Sequence, residues 1–233
     1  MSSPTTRVVL IGSEGRMGQF SAQLIEQDPG LDLVCRVTSG QDLAEELEQS
    51  QPQVGLDFTR AGLGRTHGEL LLRAGVRPVI GTSGLQPDDD AALHGLALER
   101  GLAGLVVPNF SIGVWLQQQL ALIVSKHMQH VEITEEHNIH KADAPSGTAV
   151  DTALQLAAAL NRPPDTIPVH SVRLPGLYSN QTVLFGAPGQ ILRLTHETYS
   201  LHAFGPGVLA ALHYVADAPA GVLRGIGHAL EKR

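Results

Sequence analysis

A chain of 233 residues with 42% hydrophobic and 17% charged residues is long enough to bury one large core or two modest ones, and too apolar to remain disordered. Its net charge of −7 argues against a broad nucleic-acid surface, while local basic pockets still allow small anions to bind. No apolar run is long enough to span a bilayer, and the patch near the N-terminus is interrupted too soon for a signal peptide, so a soluble cytoplasmic protein is expected, with no membrane partner.

Arg7 to Ile11 is a β-branched run that leads directly into Gly12-Ser13-Glu14-Gly15-Arg16-Met17-Gly18. The order is strand, glycine turn, helix. Met17, Phe20, Leu24 and Ile25 share one helical face, and Asp28-Pro29-Gly30 ends it. Glycines at such a junction let the backbone approach a pyrophosphate, and the N–H groups at the helix start favour negative charge. The spacing is GxxGxxG rather than GxGxxG, a weak motif by itself that a ligand-free turn also satisfies. Arg16 adds a guanidinium suited to phosphate oxygens, whereas Glu14 opposes an anion unless it points to solvent.

A second strand spans Leu31 to Val37 and contains the single cysteine, Cys35, which excludes an intrachain disulfide and reads as a buried filler. The strand ends in Val37-Thr38-Ser39-Gly40, without the acid that usually holds a ribose. Thr38 and Ser39 are suited to a 2′-phosphate, as is Arg36 unless it points to the opposite face of the strand, and these residues leave NADH or NADPH open. Further short apolar strands are expected at Val54 to Phe58, Pro78 to Ile80 and Leu102 to Val107, with helices at Asp42 to Gln49, Gly68 to Ala74 and Asp88 to Arg100. This alternation requires a parallel sheet covered on both faces. The strands run into Asp57-Phe58-Thr59-Arg60, Gly81-Thr82-Ser83-Gly84 and Pro108-Asn109-Phe110-Ser111. Each stretch is compatible with plain turn chemistry, but three polar loops share the carboxyl edge where open α/β sheets bind ligands.

After Asn109 the pattern changes. A helix is expected at Val114 to Lys126, a strand at Val131 to Glu135 and a helix at Gly147 to Leu160, followed by a linker at Asn161-Arg162-Pro163-Pro164-Asp165. His170 to Arg173, Thr182 to Phe185, Ile191 to Thr195 and Leu201 to Phe204 then read as four strands, and Val208 to Val215 and Ala220 to Leu230 as helices. Strands in succession indicate a mixed, largely antiparallel open sheet in a second α+β domain. The expected division is a Rossmann-like, doubly wound dinucleotide domain at 1–110 and 208–233, and a substrate and oligomerisation domain at 111–207.

The stretch Glu132 to Ala149 concentrates the chemistry. Ser146 is the expected N-cap of the helix that follows, with no Glu or Gln to complete a capping box, so N–H groups remain for a carboxylate or phosphate. The alternative is a serine that merely caps its own helix. His137, His140 and a nearby acid supply metal-ligand types, which allows a metal-dependent hydrolase; a polar interface loop is the bland reading. Lys141 beside the histidines disfavours a bound cation and suits an anionic substrate that must receive a proton.

Gly12 to Gly18, Asp57-Phe58-Thr59, Gly81 to Gly84, Asn109-Phe110-Ser111, Glu136-His137-Asn138-Ile139-His140-Lys141 and Asp143 to Ala149 together resemble the 4-hydroxy-tetrahydrodipicolinate (dihydrodipicolinate) reductase family, in the same order and over nearly the whole chain. The H-x-x-H-K-x-D-A-P-S-G-T-A segment is the specific part. The resemblance implies reduction of a cyclic dicarboxylate with NADH or NADPH on the route to diaminopimelate and lysine, with domain closure and a homotetramer. It implies a cofactor site of Gly12, Gly15, Arg16, Met17, Gly18, Thr38, Phe58, Gly81, Thr82, Ser83, Pro108, Asn109 and Phe110. His137 and Lys141 are implied to handle protons, Asn138, Ser146, Gly147 and Thr148 to bind substrate, and no metal is implied. Three departures stand out: Asn138 replaces a second histidine, Thr38 replaces an acid, and Arg173 to Gln181 lacks the family's Glu-His pair. A nucleotide-binding protein without turnover on the same scaffold is the remaining alternative.

Overall fold

The computed structural model describes residues 5–231. Met1 to Pro4, on which the reading of the N-terminus partly rests, and Lys232-Arg233 lie outside them. Two compact units are present, one running to Phe110 and resuming at Phe204, the other Ser111–Ala203.

The first unit alternates β1 (Thr6–Ile11), α1 (Arg16–Gln27), β2 (Leu31–Val37), α2 (Leu43–Ser50), β3 (Val54–Asp57), α3 (Gly64–Arg73), β4 (Arg77–Ile80), α4 (Pro87–Arg100) and β5 (Ala103–Val106). The chain returns to it with α7 (Gly205–Asp217), β10 (Gly221–Arg224) and α8 (Gly227–Leu230). All six strands pair in parallel, in the order β10-β5-β4-β3-β1-β2. Helices α1 and α7 pack on one face and α2, α3 and α4 on the other, so strands β3 and β5 are buried along their whole length. That is why Val54 to Leu56 and Ala103 to Val106 read as unbroken apolar runs rather than alternating ones. Val9, Ile11, Val37, Leu43, Leu47 and Leu71 form one core cluster, and Leu72, Ile80, Leu93, Ala97, Val106 and Val222 another.

The second unit carries α5 (Ile112–Ser125), β6 (His130–His137), α6 (Gly147–Ala159), β7 (Val169–Arg173), β8 (Ser179–Ala187) and β9 (Gln190–Thr198). Its sheet order is β7-β6-β8-β9, with β6 parallel to β7 and antiparallel to β8. Alternation along β6 buries Val131, Ile133, Glu135 and His137 on one face. Val131 and Ile133 join Val183, Phe185, Ala153 and Leu156 in the core against α5 and α6.

The fold is the Rossmann-like parallel sheet plus mixed sheet that the sequence predicts, with two local corrections. Leu201–Phe204 is a 3-10 turn rather than a strand, and it leads into α7, whose first turn accepts Pro206. The helix expected over Ala220 to Leu230 is instead strand β10 followed by one short turn of α8. Gly221 at φ +121° and Gly225 at φ +103° bracket the strand in conformations that break a helix, and Gly221 to Arg224 pairs with β5. The segment 161–165 is a loop within the second unit, with Asn161 in the left-handed region.

Candidate active site

The glycine turn between β1 and α1 leaves room only for backbone. Gly12 has φ +79°, and a Cβ there would lie 2.8 Å from the Phe58 carbonyl oxygen; one on Gly18 would lie 2.2 Å from the Gly12 oxygen. Gly15 caps α1 without a side chain, so the first-turn N–H groups have no capping side chain. The Gly12 and Ser13 N–H groups donate to the Val37 oxygen at 3.0 and 3.2 Å and tie the turn to β2. Arg16 and Glu14 are both exposed, and Met17 is half-buried. At the end of β2, the Thr38 N–H and hydroxyl both donate to Gln41 Oε1 at 2.7 and 2.9 Å, while Gln41 Nε2 reaches Glu46 at 2.7 Å. An acid is therefore present at this strand end, presented by α2 through a glutamine, while Arg36 pairs with Glu26.

Behind the loops after β3 and β4 lies a buried carboxylate. Asp57, fully buried, accepts the Thr59 N–H at 2.8 Å, the Thr59 hydroxyl at 2.7 Å and His67 Nδ1–H at 3.0 Å. Burial pushes its carboxyl up, yet these donors outweigh burial and hold it below the ordinary value of 3.8. The Thr82 hydroxyl donates to the Asp57 carbonyl oxygen at 3.4 Å, so the same residue steadies the Gly81-Thr82-Ser83 turn. Gly81 is pressed against an edge-on aromatic pair: Phe58 and Phe110 have ring centroids 5.3 Å apart, and a Cβ on Gly81 would lie 2.4 Å from Phe58 and 2.8 Å from Phe110. Ser83 and Pro108 are exposed, and Asn109 is half-buried. Every residue assigned to the cofactor by resemblance therefore lies at or just beyond the carboxyl ends of β1 to β5.

In the second unit, β6 and the start of α6 build a charged cluster. Glu135 is fully buried and accepts a two-pronged contact from Arg173, Nη2 to Oε1 at 2.7 Å and Nη1 to Oε2 at 3.1 Å. It also takes the Ser146 N–H at 3.3 Å and hydrogen-bonds His137 Nδ1. Burial raises the Glu135 carboxyl, but Arg173, Ser171 and His137 together hold it below the usual range. Burial pushes the His137 imidazole down, Glu135 opposes that, and the charges of Lys141 and Arg173 reinforce it, leaving the value lowered. Lys141 Nζ meets Asp143 Oδ1 at 2.9 Å; burial of Asp143 is outweighed by Lys141, and its carboxyl is lowered. Ser146 is the N-cap of α6, its hydroxyl accepting the Ala149 N–H at 3.3 Å, and a side chain on Gly147 would meet open space.

Of the residues expected here, His137 and Ser146 meet through Glu135. Asn138 spends its Oδ1 on the His140 N–H at 3.2 Å and its carbonyl on the Lys141 N–H at 3.0 Å, shaping the turn that carries the lysine. His140 is exposed. Among the described residues, no three His, Cys, Asp or Glu side chains converge as a metal site, so the metal-hydrolase reading finds no ligand set. Sequence reasoning missed Glu135, Arg173 and Asp57. The signal for Glu135 was its i,i+2 spacing from His137 on one strand face. Gln181, in the segment lacking the Glu-His pair, is buried and satisfied by Gln117 Oε1 at 3.0 Å and Thr152 Oγ1 at 3.1 Å.

No helix among the described residues is long and apolar enough to cross a membrane. Residues 6–110 match the family described as "Dihydrodipicolinate reductase, N-terminus", and residues 113–230 match "Dihydrodipicolinate reductase, C-terminus". The 4-hydroxy-tetrahydrodipicolinate reductase of Legionella pneumophila (strain Corby) is 34% identical over 97% of this chain and 99% of that protein. The enzyme of the same name from Geobacillus kaustophilus is 35% identical over 97% and 100%. Among solved structures, a dipicolinate-bound dihydrodipicolinate reductase from Paenisporosarcina sp. TG-14 superposes with a TM-score of 0.81 at 30% identity, covering 95% of this chain and 98% of its own. Matched in both halves and at nearly full length, the chain belongs to the dihydrodipicolinate reductase family of nicotinamide-dependent oxidoreductases.

Proposed function

We propose that the protein reduces 4-hydroxy-tetrahydrodipicolinate to tetrahydrodipicolinate on the route to diaminopimelate and lysine, using either NADH or NADPH. The observation that carries this reading is the pairing of two features in one chain. The glycine turn at Gly12, Gly15 and Gly18 suits a pyrophosphate, since Gly12 and Gly18 are packed so tightly against the Phe58 and Gly12 backbone that no side chain fits there, and the N–H groups at the start of α1 have no capping side chain. The cluster of His137, Lys141 and the α6 start carries the cationic and N–H groups that a dicarboxylate requires. Arg16, Met17 and Thr38 extend the cradle toward the rest of the dinucleotide, and Phe58, Gly81, Thr82, Ser83, Pro108, Asn109 and Phe110 line its nicotinamide end. Bound there, the reduced nicotinamide supplies a hydride to the substrate ring.

Replacing the ring hydroxyl by hydride releases water and consumes one proton overall. Lys141 supplies that proton from Nζ and, while charged, neutralises a substrate carboxylate. A substrate carboxylate accepts hydrogen bonds from the Gly147 and Thr148 N–H groups at the start of α6, which Ser146 holds in place. Asn138 presents Lys141 through its turn and offers its amide to the dicarboxylate. Burial, opposed by Glu135 and reinforced by Lys141 and Arg173, holds the His137 imidazole below its ordinary value, which favours the uncharged ring at neutral pH, and His137 completes the proton-handling pair. The exposed face of the four-stranded sheet, where Thr182 and Thr195 meet at 3.2 Å and Ile191 is 61% exposed, supports self-association. A homotetramer is expected, and sedimentation giving only monomer would rule it out.

The decisive experiment follows NAD(P)H oxidation at about 340 nm (nicotinamide chemistry) with substrate made in situ from pyruvate and aspartate semialdehyde by the synthase. Oxidation that depends on that substrate is expected. None with either cofactor at high enzyme concentration would overturn the proposal and leave a nucleotide-binding protein without turnover.

A further inference from the structure

We infer that Glu135, Arg173 and Ser179 form a positioning clamp that holds His137 as the Nδ1–H tautomer with Nε2 as its only acceptor; this rests on His137 serving the proposed reduction. The clamp is built by strand register. Glu135 and His137 are two apart on the buried face of β6, Ser179 is directly opposite His137 on β8, and Arg173 is opposite it on β7. Three strands therefore converge on one imidazole.

The chemistry follows from what each group can donate. An ionised carboxylate only accepts hydrogen bonds, so the Glu135 contact at His137 Nδ1 requires the proton to be on Nδ1. In the neutral ring Nε2 then carries the lone pair, and the Ser179 hydroxyl, 3.1 Å away, donates to it. Arg173 prevents Glu135 from taking up the proton itself, since both carboxylate oxygens are held by its guanidinium. The Arg173 Nη2 also donates to the Asp143 carbonyl oxygen at 2.7 Å, which ties the clamp to the loop carrying Lys141. An unconstrained neutral imidazole favours the Nε2–H form, so the clamp inverts the resting tautomer. The charged groups facing His137 are Glu135 on its own strand, Arg173 on β7, and Lys141 and Asp143 in the loop. Glu135 favours the imidazolium, whereas Lys141 and Arg173 disfavour it. Ser179, donating to the Nε2 lone pair, favours the neutral ring.

The two kinds of clamp member therefore have opposite effects, which a merely structural role would not produce. The test uses full-length protein labelled with 15N-histidine, the His137 signals being assigned by comparison with His137→Gln. In the wild type at neutral pH, His137 is expected to be protonated at Nδ1 and bare at Nε2; an Nε2–H ring would overturn the inference. Glu135→Gln should lose the single tautomer and lower kcat by about tenfold or more, as when a histidine's orienting carboxylate is neutralised. Its KM for the cofactor should stay within about twofold, because that site is built from other residues. The inflection assigned to His137 in the pH profile of kcat/KM should move down. Ser179→Ala should keep the tautomer and move the same inflection up by roughly half a unit, as expected for one neutral hydrogen bond. If Glu135→Gln fails to fold, the wild-type spectrum and Ser179→Ala decide alone. Inflections that stay in place, or that move in the same direction in both variants, would overturn the clamp. Wild-type protein that shows the tautomer but no reductase activity would support the clamp while refuting the reaction.

Discussion

Replacing Asp57 by asparagine is the sharpest perturbation of the first unit. The carboxylate is fully buried and takes three donors, two from Thr59 and one from His67. An amide of the same shape keeps one acceptor oxygen for Thr59 but turns an NH2 toward His67 Nδ1 and removes the charge from every bond. Bonds to a charged group contribute about 1.5–3 kcal/mol each and neutral ones roughly half as much, so Asp57→Asn should cost about 2–3 kcal/mol. In a domain of this size that corresponds to a melting temperature lower by roughly 5–10 °C at neutral pH. The sign of the pH dependence follows from the lowered carboxyl. Its stabilisation is fully present above the unfolded value of 3.8 and is lost as pH falls through the still lower folded value. The wild-type advantage should therefore shrink below about pH 4 and vanish in strong acid. Calorimetry of both proteins across the acid range measures this. A variant melting within a degree or two of wild type at neutral pH, with a parallel acid limb, would refute the account.

Lys141→Ala should lower turnover by about two or more orders of magnitude, since it removes a proton donor and a neutralising charge together. Its melting temperature should hardly change, because the ion pair of Lys141 is with the exposed Asp143; near-normal rates would remove Lys141 from the mechanism. Gly81→Ala places a methyl group 2.4 Å from the Phe58 ring, an overpacking worth about 1–3 kcal/mol. Calorimetric titration should show affinity for NADH or NADPH falling by about tenfold or more, and unchanged affinity for both would show that the Phe58 and Phe110 rings do not shape this site.

Features with a local signature were legible in the residue order. Strands β1, β3 and β5 read as apolar runs because helices cover both faces of their sheet, and Gly12 and Gly18 of the first turn are required by backbone that a Cβ would meet at 2.8 and 2.2 Å. The His137 to Ala149 segment was legible because its histidine, lysine and helix start lie close together in sequence. Gly221 to Arg224 was misread as helix because four apolar and basic residues carry no decisive period, and only the free edge of β5 makes them a strand. The segment Leu201–Phe204 was misread as a strand for the same reason.

The sequence by itself determined the alternation of elements, the glycine turn after β1 and the gathering of a histidine, a lysine and a helix start between His137 and Ala149. Tertiary structure decided which partners those residues meet. Arg173 is 38 positions from Glu135 and Ser179 is 42 from His137, distances that no short-range pattern spans. Register across β7, β6 and β8 brings them together, and register is set by which faces of those strands pack against the core. The identity of His137 was therefore written in the chain, but its burial and its contacts with Glu135 and Ser179 were settled by the packing of the strands around it.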